Sequence, residues 1–257
     1  MNQYMKYSAI IKGIENGIIP RYVYKYVDIQ SAIKIIQTNS IKFNSTSNFN
    51  DPYDGKAFIQ YNFSYEDISS FFGFSNLPVQ EQNIEVSKKA MDISEMQKMA
   101  HSLYANFDKK TAITCFSEIG DNIKMWSHYA NSHKGICLKF DLIKDLNFFS
   151  IPVKVEYNDK ITSYKFSEAE NFIYKQYSTK SKEWEYEKEI RIIKSNTSPS
   201  LIEFKKEALI DMVFGCSCTE EDICKLRKML KQHNFNVVNF KRAILANLNY
   251  KLDIIPA

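Results

Sequence analysis

The segment that most constrains this chain is Lys182 to Ile193, KEWEYEKEIRII. Read with a period of two residues, one side is charged and the other is apolar. The charged side consists of Glu185, Glu187, Glu189 and Arg191, and the apolar side consists of Trp184, Tyr186, Ile190 and Ile192. Lys188 falls on the apolar side and breaks the alternation.

This pattern predicts a β-strand with its apolar face on a core and its acidic face open to a ligand. Three carboxylates at alternate positions repel one another, and a single arginine does not balance them. A helix that leads into a strand is the alternative, because residues 182–188 are good helix formers and the IRII sequence after them is β-branched.

Length and composition set the fold class. At 257 residues with 44% hydrophobic content, the chain can form one large domain over residues 1–257. We predict an α+β fold with a mixed or two-sheet β core of roughly six to nine short strands and surrounding helices. Residues 62–110 are predicted to form a helical insertion or lid, which includes a helix over 81–107.

Several classes of protein are disfavoured. The net charge of +4 permits an anionic partner but does not indicate a dedicated nucleic-acid binder, and the 7 glycines form neither a P-loop nor a GxGxxG motif. There is no signal peptide and no apolar run of about 18 residues, so we predict a cytoplasmic protein with reduced thiols and no membrane partner. No metal site is predicted. Cys216, Cys218 and Cys224 are better explained as buried small residues near a strand end.

The N-terminal part predicts a strand–helix–strand unit. Arg21–Val27 is predicted to be a strand, Asp28 the N-cap of a helix, Asn39 its C-cap, and Ile41–Phe43 a second strand. The segment 44–54 that follows is rich in turn formers and small hydroxyl groups. It is interpreted either as an elaborate turn or as a ligand-binding loop.

The rest of the chain alternates between buried strands and helices. The predicted strands are Ala112–Phe116, Ile136–Asp141, Val153–Tyr157, Ile202–Phe204, Leu209–Gly215 and Asn236–Phe240. Thr219 is predicted to cap a C-terminal helix. Lys175, Lys180 and Lys182 approach the acidic segment, which suits a phosphate-bearing ligand or an ordinary solvated helix end.

Trp126, His128 and Tyr129 place a stacking surface beside a group that titrates near neutral pH. His128 is a candidate general base or substrate-orienting residue, and a structural histidine is the alternative.

Ordered motifs resemble the bacterial domain-of-unknown-function family 2971 from about residue 20 to residue 250. They are Tyr24-Lys25-Tyr26, Asn50-Asp51-Pro52-Tyr53-Asp54, Cys115-Phe116-Ser117, Met125-Trp126-Ser127-His128-Tyr129, Lys134-Gly135, Trp184-x-Tyr186-Glu187-x-Glu189-x-Arg191 and Phe214-Gly215. The chain also resembles antitoxin-type proteins of abortive phage-infection systems, which implies a phage-defence setting.

A second resemblance is to ADP-ribosyltransferases. These enzymes have an Arg or His on a first strand, a Ser-Thr-Ser-like strand and a late Glu-x-Glu strand, which correspond here to Arg21–Tyr26, Ser45–Ser47 and Glu187-x-Glu189. The resemblance implies NAD as substrate, with Glu189 stabilising an oxocarbenium-like state and Glu187 assisting the acceptor.

The same resemblance assigns supporting roles. Arg191 would keep the carboxylates ionised. Lys25 or Arg21 would bind the pyrophosphate, the Ser45–Ser47 strand would shape the pocket, and Tyr24, Tyr53 or Trp126 would stack on a ring. Asn50, Asp51, Asp54 and Tyr129 complete the candidate ligand-binding set. The acceptor would be a nucleic acid or a protein.

Two alternatives of other classes remain open. Asp51, Asp54, Glu187 and Glu189 could hold a divalent cation for phosphodiester cleavage, as in a metal-dependent nuclease. The chain could also be a non-catalytic, antitoxin-like module that binds a nucleotide or a partner protein through the acidic segment.

Overall fold

The computed structural model describes residues 3–55, 58–60, 64–90, 109–161, 163–165 and 175–257, together with residues 98, 102 and 106. The helices in these ranges are α1 (Gln3–Glu15), α2 (Ile29–Thr38), α3 (Tyr65–Phe71), α4 (Val79–Ala90), α5 (Ile123–Tyr129) and α6 (Glu220–Gln232). Short 3₁₀-helices span Thr46–Asn48, Phe74–Asn76, Leu142–Asp145, Lys182–Glu187 and Lys206–Ala208. No helix among the described residues is long and apolar enough to cross a membrane.

The strands are β1 (Tyr22–Val27), β2 (Ser40–Phe43), β3 (Phe58–Gln60), β4 (Thr111–Ser117), β5 (Ile136–Asp141), β6 (Pro152–Lys154), β7 (Glu156–Asn158), β8 (Ser163–Lys165), β9 (Thr179–Ser181), β10 (Glu189–Ser195), β11 (Ser200–Glu203), β12 (Leu209–Phe214), β13 (Asn239–Leu245) and β14 (Leu252–Pro256). Eight of them form one mixed sheet in the order β14-β13-β12-β5-β1-β4-β10-β6. In this sheet β12 and β13 are parallel, and the other neighbours are antiparallel. The pairs β11–β2, β3–β8 and β7–β9 form three small sheets. The predicted α+β class with a mixed β core is confirmed.

The centre of the large sheet contains a gap. β1 pairs with β5 along its whole length, but it pairs with β4 only where Tyr24 faces Ser117. Further along β4, Ile113 forms a bridge with Asn44, which directly follows β2. β1 and β4 therefore diverge, and a cleft opens between them.

The local sequence explains how α2 forms beside this cleft. The Asp28 side chain accepts a hydrogen bond from the Ser31 N–H, and Asn39 ends the helix in the left-handed conformation. Ala32 and Ile36 are buried in the main core, which covers one face of the sheet. The opposite face, packed against α5, carries the candidate site.

Most of the predicted elements are confirmed. They correspond to β1, α2, β2, β4, β5, β12 and α6, and Thr219 caps α6 as expected. The described part of residues 62–110 contains α3 and α4, while residues 91–97 and most of 99–108 lie outside the described residues.

Other predictions were wrong. Residues 182–193 do not form one strand, because a 3₁₀-helix precedes β10. Ser45–Ser47 is a tight turn leading into the 3₁₀-helix Thr46–Asn48, because the Ser45 hydroxyl accepts a hydrogen bond from the Ser47 N–H. Val153–Tyr157 is divided between β6 and β7. The closing strand begins at Asn239, and β14 was not predicted.

Candidate functional site

The candidate site is the cleft between β1 and β4, with a volume of about 250 Å³. Strand β4 forms its floor, and the loop after β2 forms one wall. Rings of Tyr24, Phe49 and Tyr129 line it, and the carboxylates of Asp54, Glu187 and Glu189 lie at one end. The acidic segment, the loop 44–54 and α5 therefore meet at one pocket.

Arg191 organises the acidic end. It is fully buried, and its Nε and Nη2 atoms donate to the two Glu189 oxygens at 2.9 and 3.0 Å. Nη2 also lies 2.7 Å from the Asp54 carboxylate, and Nη1 donates to the Tyr177 carbonyl at 3.1 Å. This forked geometry matches the planar guanidinium to two carboxylates and fixes Glu189 in one orientation.

Lys180 is the second cation of the network. Its Nζ lies 2.6 Å from Glu187, 3.3 Å from Glu189 and 3.5 Å from Asp54, and its side chain is only 4% exposed. An ammonium group has three N–H donors. Glu187 and Glu189 accept hydrogen bonds from it, and Asp54 lies within ion-pair distance. The Lys180 charge is therefore already balanced by carboxylates, which argues against the phosphate contact that the sequence suggested.

Tyr129 connects Glu187 to the outer part of the cleft. Its hydroxyl donates to Glu187 Oε1 at 2.5 Å and accepts a hydrogen bond from the Asn50 amide at 3.2 Å. Glu187 therefore has one oxygen facing Tyr129 and the other facing Lys180.

The backbone around the two glutamates explains why both point inward. The 3₁₀-helix ends at Lys188, which has a φ of +45° in the left-handed region. Ser117 Oγ donates to the Glu187 carbonyl at 2.6 Å, and the Glu189 N–H donates to the Tyr157 hydroxyl at 2.8 Å. The left-handed backbone at Lys188 thus lets Glu187 and Glu189 reach the same lysine. Lys188 is also the residue that breaks the alternation in the sequence.

The three carboxyl groups differ in how burial and neighbouring charges shift their pKa values. Burial raises the pKa of Glu189, but the opposing charges of Arg191 and Lys180 outweigh it and lower the pKa to about 2. Burial raises the pKa of Glu187, and Lys180 and Tyr129 offset this only in part. Burial also raises the pKa of Asp54 against the attraction of Arg191. The surroundings therefore favour the ionised form of Glu189, whereas burial disfavours the ionised forms of Glu187 and Asp54.

Lys25 supplies further positive charge to the cleft. Its Nζ donates to Thr114 Oγ1 at 3.1 Å and to the Cys115 carbonyl at 2.8 Å. Among the described residues Lys25 forms no salt bridge, and burial lowers its pKa. The exposed Lys42 lines the same cleft. The cleft therefore contains cations as well as carboxylates.

The structure brings together seven of the predicted site residues in the lining of this cleft. They are Tyr24, Lys25, Asn50, Asp54, Tyr129, Glu187 and Glu189. Arg191 lies directly behind them, bonded to Glu189 and Asp54. The expectation of an open acidic face is corrected, because Glu187 and Glu189 are both buried.

The lining does not include the other predicted residues. They are Arg21, Ser45, Ser47, Asp51, Tyr53, Trp126 and His128. Arg21 pairs with Asp141 at 2.9 Å. Trp126 is fully buried in the core and donates to the Gly120 carbonyl, so its ring has no face for a ligand. His128 is exposed and contacts the Tyr186 hydroxyl at 3.0 Å through Nδ1.

The remaining four belong to the turn after β2. Ser45 and Ser47 hydrogen-bond to each other, Asp51 accepts from the Tyr53 N–H, and Tyr53 is largely exposed. Of the two residues predicted to bind the pyrophosphate, Lys25 lines the cleft, whereas Arg21 lies outside the lining and pairs with Asp141. Only Lys25 is therefore positioned for that role.

Sequence reasoning missed the role of Lys180 in the network. The signal was the charge imbalance of the acidic segment, since the two buried carboxylates of Glu187 and Glu189 require more positive charge than one arginine supplies. Among the residues that the structure describes, no group of three His, Cys, Asp or Glu side chains is placed to hold a metal ion.

Comparison with known protein families gives a match for one part of the chain. The model of a protein family of unknown function, DUF2971, matches residues 125–192. This stretch, the DUF2971 segment, is similar to that family. It begins in α5 and ends in β10, so it contains Tyr129, Lys180, Glu187, Glu189 and Arg191. The predicted family is confirmed, over a shorter range than the resemblance from about residue 20 to residue 250. The searches of curated proteins and of solved structures gave no match.

Most of the charge network therefore lies within the DUF2971 segment. Asp54 and Lys25 come from outside it.

Proposed function

We propose that the cleft cleaves the N-glycosidic bond of NAD, as an ADP-ribosyltransferase or an NAD glycohydrolase. The observation that carries the proposal is the pair Glu187 and Glu189. The two carboxylates line one cleft and share Lys180, but only Glu189 is locked by Arg191. Pairs of carboxylates whose environments separate their pKa values are typical of glycosidic cleavage.

The chemistry needs a fixed negative charge near the ribose. When the bond from ribose C1′ to the nicotinamide nitrogen breaks, the electron pair leaves with nicotinamide and positive charge develops on C1′ and the ring oxygen. Glu189, ionised and held by Arg191, would stabilise that charge. Water or an acceptor hydroxyl then bonds to C1′, and Glu187 would take up its proton.

The rest of the cleft supports a nucleotide substrate. Tyr24, Phe49 and Tyr129 offer aromatic surface to a planar ring. Lys25 and Lys42 offer positive charge to a phosphate group. Ligand pockets usually enclose roughly 300–1,000 Å³. At about 250 Å³, this cleft lies just below that range, so it would hold one part of the dinucleotide, and the remainder would extend along its open side.

The test is release of nicotinamide from NAD by the purified protein, with and without bacterial lysate or DNA as a source of acceptor. We expect Glu189→Gln to reduce the rate by roughly 10²–10³-fold, in line with the loss of one preorganised electrostatic contact. Glu185→Gln is the matched control, since Glu185 is half-exposed and its one ion pair among the described residues is with Lys188 at 3.4 Å. It should retain wild-type activity.

No nicotinamide release by the wild type under any of these conditions, with no thermal shift on adding NAD, would overturn the proposal. A thermal shift without release would favour the non-catalytic nucleotide-binding module instead. Activity that requires Mg²⁺ or Mn²⁺ on a nucleic acid would favour the nuclease.

A further inference from the structure

The charge network contains more carboxylates than cations. Asp54, Glu187 and Glu189 face Lys180 and Arg191, and all five side chains are at most 4% exposed. With every group ionised, the cluster carries one net negative charge in a region with little water to screen it. Holding one proton would neutralise it.

The contacts decide which carboxylate takes up a proton most readily. Glu189 accepts two bonds from Arg191, and Asp54 also lies 2.7 Å from Arg191. Glu187 has no contact with Arg191 and depends on Lys180, whose charge it shares with the other two. Glu187 is therefore the carboxylate with the least compensation.

Among the described residues, the other groups that face Glu187 add no second positive charge. The titratable and charged residues that face it from the surrounding elements are Tyr129 on α5, Tyr157 on β7, Lys180 on β9, Tyr186 in the preceding 3₁₀-helix, and Glu189 on β10. Lys180 is the one cation in this set, and Glu189 acts against it. Trp184 shields the same ammonium, whose Nζ lies 4.9 Å from the indole centroid.

We propose that Lys180 is a positioning residue that divides its charge among three carboxylates and thereby makes Glu187, and not Glu189, the group that exchanges a proton with the substrate. This inference rests on the proposed function, because it assigns the roles of the two glutamates in that reaction. In the forward step the proton of the attacking water or hydroxyl moves to a Glu187 oxygen as its oxygen bonds to ribose C1′. The proton is later returned to solvent.

The direct test is a ¹³C NMR titration of the glutamate side-chain carboxyls from about pH 4 to pH 9. Glu187→Gln and Glu189→Gln variants assign the two signals. In the wild type we expect the Glu187 signal to titrate above the ordinary glutamate range and the Glu189 signal to stay constant. Lys180→Met should raise the Glu187 midpoint by about one pH unit or more, since it removes the nearest opposite charge. Lys180→Arg should leave it near the wild-type value.

Tyr129→Phe provides a second variant if Lys180→Met does not fold. It removes the hydroxyl that stabilises ionised Glu187, so the Glu187 midpoint should rise while Glu189 remains unchanged. Titration of Glu189 in place of Glu187, or a Glu187 midpoint that neither variant moves, would overturn the inference. A purely structural lysine would lower the yield of folded protein without moving either signal.

Nicotinamide release adds a functional readout. The low-pH side of the rate profile should follow the Glu187 midpoint in the wild type and move with it in Lys180→Met. If the wild type releases no nicotinamide, the proposed function fails, whereas the NMR titration still decides the role of Lys180.

Discussion

Glu189→Gln is the substitution that tests the charge network most directly. The change keeps the shape of the side chain but removes the negative charge to which Arg191 donates two hydrogen bonds. The opposing charges hold the Glu189 pKa at about 2, against an ordinary value of 4.5. The difference between these values corresponds to about 3 kcal/mol of stability from the ionised form at neutral pH. This agrees in size with the cost of breaking a buried ion pair.

The direction of the Glu189 pKa shift determines how this contribution to stability changes with pH. Because the folded pKa lies below the unfolded one, the contribution is fully present above pH 4.5 and is lost as the pH falls towards 2. We therefore expect Glu189→Gln to lower the free energy of unfolding by about 3 kcal/mol at pH 7 and by about half as much near pH 3.

Urea titrations followed by tryptophan fluorescence at several pH values measure this difference. Glu185→Gln should change the free energy of unfolding by less than about 0.5 kcal/mol at every pH. If Glu189→Gln is as stable as the wild type at pH 7, or if its deficit does not shrink on acidification, the reasoning about the Glu189–Arg191 pair is refuted.

Three further outcomes are expected. In urea titrations, Gly55→Ala should lower the free energy of unfolding by at least about 1 kcal/mol more than Gly17→Ala. Both glycines have positive φ, but only at Gly55 would an added Cβ meet another side chain, that of Thr46 at 2.5 Å. Lys25→Met should leave stability unchanged or slightly higher at pH 7, since burial lowers the Lys25 pKa and its charged form carries a cost there. Calorimetry of the same variant should show about tenfold weaker ADP-ribose binding. Trp126→Phe should lower the free energy of unfolding by about 1–3 kcal/mol, measured by urea titration, because it removes the donor to the Gly120 carbonyl and leaves a cavity.

The elements that could be predicted from the sequence are those with regular local signals. β1 and α2 follow from an aromatic strand, an Asp28 cap and helical spacing, and Asn39 ends the helix as expected. The acidic segment also placed Glu187 and Glu189 on one side, and both line the cleft, although they are buried and not on the open face that the alternation predicted.

What could not be predicted depends on contacts between distant segments. The gap between β1 and β4 arises from the pairing of Asn44 with Ile113, which has no signature in either segment alone. Trp126 and Tyr129 are neighbours in one motif, but the helix turns one into the core and the other into the cleft. The left-handed conformation of Lys188 appears in the sequence only as a break in the alternation.

The ion pair between Asp54 and Arg191 has a consequence for synthesis. The two residues are 137 positions apart. At a translation rate of about 5–20 residues per second, Asp54 is synthesised roughly 7–27 s before Arg191. Lys180 is also made late, so the loop that carries Asp54 has neither of its cations during that interval. The acidic end of the cleft is therefore among the last parts of the nascent chain that can assemble, after β1 and β5 have both been synthesised.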